Sequence, residues 1–414
     1  MSFLSRQTAF IICLLPAYIR FFWHYLSCDR LAVYYKNVEG EQENDNDTNN
    51  SKKTKPPYFS RNYLDVYGSK TVIVNKDNNA QTSIEDDDVK KPIVIFIVGG
   101  AWTIGYKMWG CLLARALVPF GILVIIPDYR NYPKTDIQGM VNDVDTSIQW
   151  VMDNANKYGG DNKRVVLVGQ SAGAHLAATV VGRKVSDYLL SRGNDSSKNE
   201  AKEEEDLQYT PLKSTYNPWQ LRGLVSTSGP LNLVAMEKVL HNEGIISGKK
   251  QMKLFLGEGG LRDWSPYHLF QKCHDLYNEE TNDNKAKQEQ LKDLFPKICI
   301  IQGTSDKTVP ESEASSFISL LLNLDIPVVS KVYGEWSHTD PILEKPMAGD
   351  HTYHSDIHEL VCSWTAVDDT CSKNDDNGAG KDETLPLEFD LSHPILRPIC
   401  PLMLVNAGRY CNPF

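Results

Sequence analysis

The residues best suited to chemistry gather around one serine. From Val166 to Val181 the chain reads VLVGQSAGAHLAATVV, an apolar run, a serine between Gly169 and Gly173, and an alanine-rich segment. A strand that turns sharply into a helix lifts the turn residue out of the sheet, and only small flanking residues let so tight a turn pack. Gly169-Gln170-Ser171-Ala172-Gly173 reads as such a nucleophile elbow; the alternative is an ordinary strand-to-helix turn. A serine hydroxyl is a weak nucleophile, so it needs a base to take its proton and a carboxylate to orient that base. On a scaffold of this kind they follow in the order serine, acid, histidine. Asp306, just past the apolar CIIQG run, is the candidate acid, with Asp325 and Glu335 as rivals. His338, in EWSHTD after PVVSKVYG, is the candidate base. Attack on a carbonyl builds an oxyanion that must be met by fixed N–H donors. VGGAWTIGY supplies two, Gly100 and Ala101, and Ala172 after the serine is the third.

These residues need strands to present them. PIVIFIVGG, GILVIIPDY, RVVLVGQ, LRGLVSTSG, KICIIQGTSD and PVVSKVYG are short apolar runs typical of buried strands, and YLDVYGSKTVIVNKD is further strand material. Helical patterns such as MVNDVDTSIQWVMDNANKY fall between them. Strands alternating with helices predict an α/β fold: a mainly parallel central sheet with helices on both faces. Each candidate then lies at a carboxyl end of the sheet, where such folds place their sites.

Composition narrows the class. The 414 residues carry a formal charge of −10 and no long basic stripe, which argues against nucleic acid as a partner. Nine cysteines occur singly with no CxxC pair and read mostly as buried free thiols; Cys362 with Cys371, or Cys400 with Cys411, are the pairs an oxidising lumen would favour. His354 and His358 are one helical turn apart, with His351 nearby, but HSDIH lacks the glutamate of H-E-x-x-H. An exposed helix start is the better reading, and no metal is expected. His175, inside the helix after the elbow, reads as a packing residue.

The chain divides into four parts. Residues 1–30 hold the apolar stretch Thr8 to Leu26 and read as a membrane anchor, with a cleaved signal peptide or a soluble helix as alternatives. Residues 31–57 read as a flexible charged linker, 58–362 as the catalytic domain and 363–414 as a C-terminal extension that packs on the domain or touches a membrane. Ser191 to Asn217, Asn278 to Lys292 and Cys371 to Thr384 read as charged surface insertions. Glycosylation sequons begin at Asn46, Asn49 and Asn194.

Elbow, acid, base and glycine loop together resemble the α/β-hydrolases, in the branch of hormone-sensitive lipase and small esterases. PDYRNYP and YGGDNKRVVLVGQSAGAH match that branch. More narrowly, GGAWTIGYKMWG, GQSAGAH, SHTDPILEKPMAGD and the closing NPF are similar to the isoprenylcysteine methylesterases. Val98 departs from the wider branch, where a histidine commonly opens the glycine loop. The resemblance implies hydrolysis of a carboxyl methyl ester on a prenylated cysteine, with Ser171 as nucleophile, His338 as base and acid, and Asp306 orienting it. It implies that Gly99, Gly100, Ala101, Gln170 and Ala172 surround the substrate carbonyl, that no cofactor is needed, and that the protein sits on endoplasmic reticulum or Golgi membranes. The rival readings are a general carboxylesterase, a formamidase, a prolyl-peptidase-like hydrolase, or a non-catalytic binding protein on the same fold.

Overall fold

The computed structural model describes residues 19–35 except His24, 61–69, 89–193, 210–242, 249–283 except 258, 290–366 and 387–411, with Leu15 besides. Eight strands form one sheet: β1 (Arg30–Tyr34), β2 (Tyr63–Tyr67), β3 (Lys91–Ile97), β4 (Leu123–Pro127), β5 (Gly160–Gln170), β6 (Gly223–Thr227), β7 (Lys297–Gly303) and β8 (Val328–Tyr333). Their spatial order is β1-β2-β4-β3-β5-β6-β7-β8. The first two strands pair antiparallel, and all pairs from β4 to β8 are parallel. Central strands covered on both faces have no polar side to show, which is why β3 carries IVIFI, β4 LVII and β5 VVLV as continuous apolar runs. The expected α/β architecture is the one observed.

Helices cover both faces. On one side lie α1 (Cys111–Leu117) and α9 (Thr352–Thr365); on the other lie α2 (Ile137–Asn154), α3 (Ala172–Gly193), α6 (Pro266–Asp283) and α7 (Glu311–Asn323). Short helices α4 (Leu233–Asn242) and α5 (Lys249–Leu256) follow β6, α8 (Glu344–Met347) follows β8, and α10 (Leu402–Cys411) is the last element. Asp136 caps α2, its side chain accepting the Gly139 N–H at 2.9 Å. Close packing leaves no room for some side chains. A Cβ at Gly223 of β6 would collide with the Trp364 ring of α9.

The structure redraws several boundaries. Residues Arg30 to Tyr34 are a strand of the sheet, where the sequence suggested anchor and linker. Residues 19–23 and 25–27 are helical and lean on the domain. Phe21 is buried and stacks on Trp109 at 6.1 Å between ring centres. Tyr25 donates to Asp65 Oδ2 at 3.0 Å. The expected insertion from Ser191 begins inside α3 and ends on the domain, with Tyr216 buried and Ser214 donating to Asp145 at 2.5 Å. That from Asn278 begins inside α6. The third insertion, the 39–57 stretch and all three sequons lie outside the described residues.

His351, His354 and His358 are buried, not exposed at a helix start. His351 Nε2 and His358 Nε2 donate to the carbonyls of Leu396 and Leu387 at 2.9 and 2.7 Å, which explains the difference: the C-terminal stretch folds back over α9. Cys28, Cys111, Cys273, Cys299 and Cys362 are free thiols.

Candidate active site

Sheet order puts the site where it is. The chain leaves β3 for β4 on one side and later returns as β5 on the other, so a crevice opens above the carboxyl ends of β3 and β5. Their register pairs Ile97 with Gly169 and thereby lays the glycine loop beside the elbow. A Cβ at Gly99 would strike Gln170, and one at Gly173 would strike the Ile97 carbonyl. The two glycines are what lets loop and elbow touch.

Ser171 holds φ 54°, a left-handed conformation that costs an L-residue about 1–2 kcal/mol. Its neighbours hold it there: its N–H donates to the Thr227 carbonyl of β6 at 2.9 Å, and its carbonyl accepts the His175 N–H at 3.0 Å. The side chain meets His338, Nε2 to Oγ at 2.8 Å, and His338 Nδ1 meets Asp306 Oδ2 at 2.8 Å. All three residues are buried to within a few per cent, so these polar contacts act at low dielectric. The carboxylate fixes the tautomer: Nδ1 carries the proton, leaving Nε2 to accept the serine hydroxyl proton.

Asp306 is itself held. Its Oδ1 accepts the N–H of Thr308 and of Val309 at 3.0 and 2.8 Å, and Gln302 Nε2 donates to Oδ2 at 3.3 Å. The histidine loop is braced from within, since Asp340 Oδ2 accepts the Ser337 N–H at 2.7 Å and Thr339 donates to Glu344 at 2.8 Å. Asp340 and Glu344 are both fully buried. Gln170 reaches the same loop, donating to the His338 carbonyl at 3.4 Å. The rival acids stand apart, Asp325 and Glu335 both being exposed.

The glycine loop closes the other side. Gly100 has φ 129°, and its carbonyl accepts both Thr103 and Ile104 N–H groups, at 3.0 and 2.9 Å. Ala101 and Trp102 follow at φ 49° and 59°. Ala172 is the first residue of α3, where backbone N–H groups have no partner within the helix and its dipole favours negative charge. Loop, helix start and serine thus converge. Beneath the loop, Asp128 accepts from Arg61 and from the Lys107 N–H, and Arg61 also donates to the Gly105 carbonyl.

Two further residues belong to this neighbourhood: His175, read from the sequence as a packing residue, and Gln302, which that reading passed over. His175 is fully buried; its Nε2 donates to the Trp264 carbonyl at 2.7 Å and its Nδ1 accepts from Trp102 Nε1 at 3.3 Å. Burial pushes the imidazole down to about 4, so it is neutral. Gln302, the last residue but one of β7, is the other. Its polar side chain inside an apolar strand, four residues before Asp306, was the available signal. Among the described residues no group of His, Cys, Asp and Glu is arranged to hold a metal ion.

Comparison with known proteins now bears on the arrangement. The BD-FAE family profile matches residues 83–321, more than half of the chain, and spans the glycine loop, Ser171 and Asp306. The chain belongs to the BD-FAE family of α/β-hydrolases. It is 34% identical over 325 residues to a probable isoprenylcysteine alpha-carbonyl methylesterase, ICMEL1, of Oryza sativa subsp. japonica, covering 78% of this chain and 64% of that protein. It is 28% identical over 330 residues to the isoprenylcysteine alpha-carbonyl methylesterase ICME of Arabidopsis thaliana, covering 80% and 65%. The chain therefore spans somewhat less than two thirds of these relatives. Among solved structures, an inhibited esterase B from Lactobacillus rhamnosis superposes with a TM-score of 0.53 at 13% identity, covering 87% of this chain and 96% of the other, which shows the shared fold.

Proposed function

We propose that this protein is a serine carboxylesterase whose substrate is a carboxyl methyl ester on a prenylated cysteine. The observation that carries the reading is the continuous row from Ser171 Oγ through His338 to Asp306, beside a loop of strained backbone and a helix start. In this mechanism Ser171 Oγ attacks the ester carbonyl carbon while His338 Nε2 takes its proton. Amides of Gly100, Ala101 and Ala172 meet the oxyanion, with Gly99 and Gln170 packed behind. The tetrahedral intermediate collapses, the bond to methanol breaks, and His338 returns the proton to the leaving oxygen. Water then attacks the acyl-enzyme carbonyl while His338 takes its proton; the bond to Ser171 Oγ breaks, His338 returns the proton to Oγ, and the free carboxylate departs. Asp306 Oδ2 accepts from His338 Nδ1 throughout and steadies the imidazolium. No cofactor enters this sequence.

The methyl ester and prenyl chain are supported by the names of the two plant relatives. A lipid-surface location fits the same substrate. The helical residues 19–23 and 25–27 turn Ile19, Phe22, Trp23 and Leu26 outward, and Leu402 and Met403 of α10 are exposed as well. Arg20 reaches the Ile399 carbonyl at 3.1 Å and ties the two chain ends together. Among the described residues no helix is long and apolar enough to cross a membrane, so this apolar face is the part proposed to enter the interface.

The test is a substrate panel. Rates of methanol release from N-acetyl-S-farnesylcysteine methyl ester are compared with hydrolysis of p-nitrophenyl acetate, p-nitrophenyl butyrate and an N-formyl aryl amine. The proposal expects the highest kcat/KM on the prenylcysteine ester. A preference for the short acyl esters would make the protein a general carboxylesterase, and a preference for the formamide would make it a formamidase.

A further inference from the structure

Two consecutive non-glycine residues in the left-handed region, Ala101 and Trp102, form the turn of the glycine loop. A side chain with a Cβ takes this conformation only at a cost, and such strain persists only where surrounding contacts impose it. The contacts on Trp102 come from three directions. Its carbonyl accepts the Tyr132 N–H at 2.8 Å. Its ring meets Phe255 of α5 edge-on at 5.5 Å between centres. Its indole N–H, buried with the rest of the side chain, points to His175 Nδ1. His175 lies one turn into α3, so its backbone closes the turn that begins at Ser171 while its ring reaches the glycine loop. The far nitrogen is committed to the Trp264 carbonyl. A carbonyl accepts only, so Nε2 must carry the proton and Nδ1 must be the acceptor. Both ring nitrogens are satisfied by a single neutral tautomer, and both rings are sealed from water.

We propose that His175 and Trp102 are a positioning pair that clamps the oxyanion-binding loop to the nucleophile helix and sets the distance between Ser171 and the loop amides. The inference rests on the esterase reading above. Neither residue touches the reacting atoms. The hydrogen bond acts on them by holding Gly100 and Ala101, the residues just before Trp102, in register with Ser171. Donors placed for the tetrahedral oxyanion matter more in the transition state than in the substrate complex. Slackening the clamp therefore lowers kcat and leaves KM nearly unchanged.

Three substitutions separate this role from bulk packing. Trp102→Phe keeps an aromatic ring and removes the N–H. His175→Phe keeps a planar ring but removes the acceptor for Trp102. His175→Gln, whose amide oxygen stands beside its N–H, restores an acceptor near the Nδ1 position. The readouts are kcat and KM on p-nitrophenyl butyrate, the inhibition constant of an alkyl trifluoromethyl ketone that forms a tetrahedral adduct, and thermal midpoint. Trp102→Phe and His175→Phe are expected to lower kcat about tenfold or more with KM within about twofold, and to weaken the ketone by a similar factor. The double variant should be no worse than the weaker single, because both break the bond between Trp102 and His175, and His175→Gln should recover part of the loss. Full additivity, or a fall in thermal midpoint with kcat and ketone affinity intact, overturns the clamp. A wild-type protein that neither hydrolyses esters nor reacts with a fluorophosphonate overturns the esterase reading itself.

Discussion

At Ser171 a single hydroxyl carries the proposed chemistry, and Ser171→Ala should reduce kcat on any ester by about a thousandfold or more while the circular dichroism spectrum stays that of the wild type. Asp306→Asn should lower kcat strongly with little change in KM. The amide presents a donor where His338 Nδ1 needs an acceptor, and so favours the wrong tautomer. An equal loss from Asp325→Asn, which alters an exposed side chain, would contradict that assignment. His175 gives a pH prediction. Its folded value, about 4, lies below the ordinary 6.5, so the unfolded chain binds a proton more readily in between. Stability from this group is complete above about pH 6.5 and falls on acidification toward about 4, losing on the order of 2 kcal/mol by about pH 5. Glu313, raised by burial to about 7, acts in the opposite direction, so the test compares urea midpoints of wild type and His175→Gln across the range. The variant's curve should lose this acid-side fall; an unchanged difference at all pH values would contradict it. That Ser171, Asp306 and His338 belong together was legible in the sequence, because the proposed chemistry dictates their types and the strands dictate their order. His175 read as a packing residue and is buried, but its bond to Trp102 was not legible, because it depends on an indole 73 positions away that only the β3–β5 register brings to it.

The elements explain why the elbow needs its glycines. Gly173 sits where α3 crosses the end of β3, and a methyl group there meets the Ile97 carbonyl, a backbone atom that cannot swing aside. Gly173→Ala should therefore push the helix off the strand, destabilising the protein by about 1–3 kcal/mol and moving Ser171 away from the loop. Urea unfolding and kcat should fall together. A variant of wild-type stability and activity would show that the elbow has slack. Most strands were legible, since central parallel strands are continuous apolar runs. β1 was not: RLAVY is a half-exposed edge strand beside a longer apolar stretch and a polar one, and its pairing with β2 is visible only in three dimensions. The histidines of α9 misled for a similar reason, because the chain that covers them lies 29 to 45 residues further on.

Across the whole molecule, the described residues between 19 and 35 pack as part of the domain they precede. Asp65, wholly buried in β2, is matched by Lys107 at 2.6 Å, Arg30 at 3.2 Å and the Tyr25 hydroxyl, and two of these partners come from that segment. The sequence alone suggested a domain separable at Pro57. The structure predicts instead that deletion to that point strips the edge strand, uncovers the surface beneath Phe21 and leaves Asp65 short of partners. The truncated protein should show a markedly lower thermal midpoint or fail to accumulate in soluble form, and an unaltered midpoint would mean that these contacts are dispensable. The outward side chains are a different matter. Phe22→Ser with Trp23→Ser, at positions 52% and 73% exposed, should change stability little and yet weaken sedimentation with phosphatidylcholine vesicles. Unchanged sedimentation would remove the lipid-facing role proposed for this face.

Covalent trapping reaches the proposed nucleophile, Ser171, directly. The full-length protein is treated with a fluorophosphonate and the site of the adduct is read by peptide mass spectrometry. A single modified serine, Ser171, is expected, with labelling abolished in Ser171→Ala and strongly slowed in His338→Gln. Modification of another serine, or no labelling of a folded protein, would contradict it.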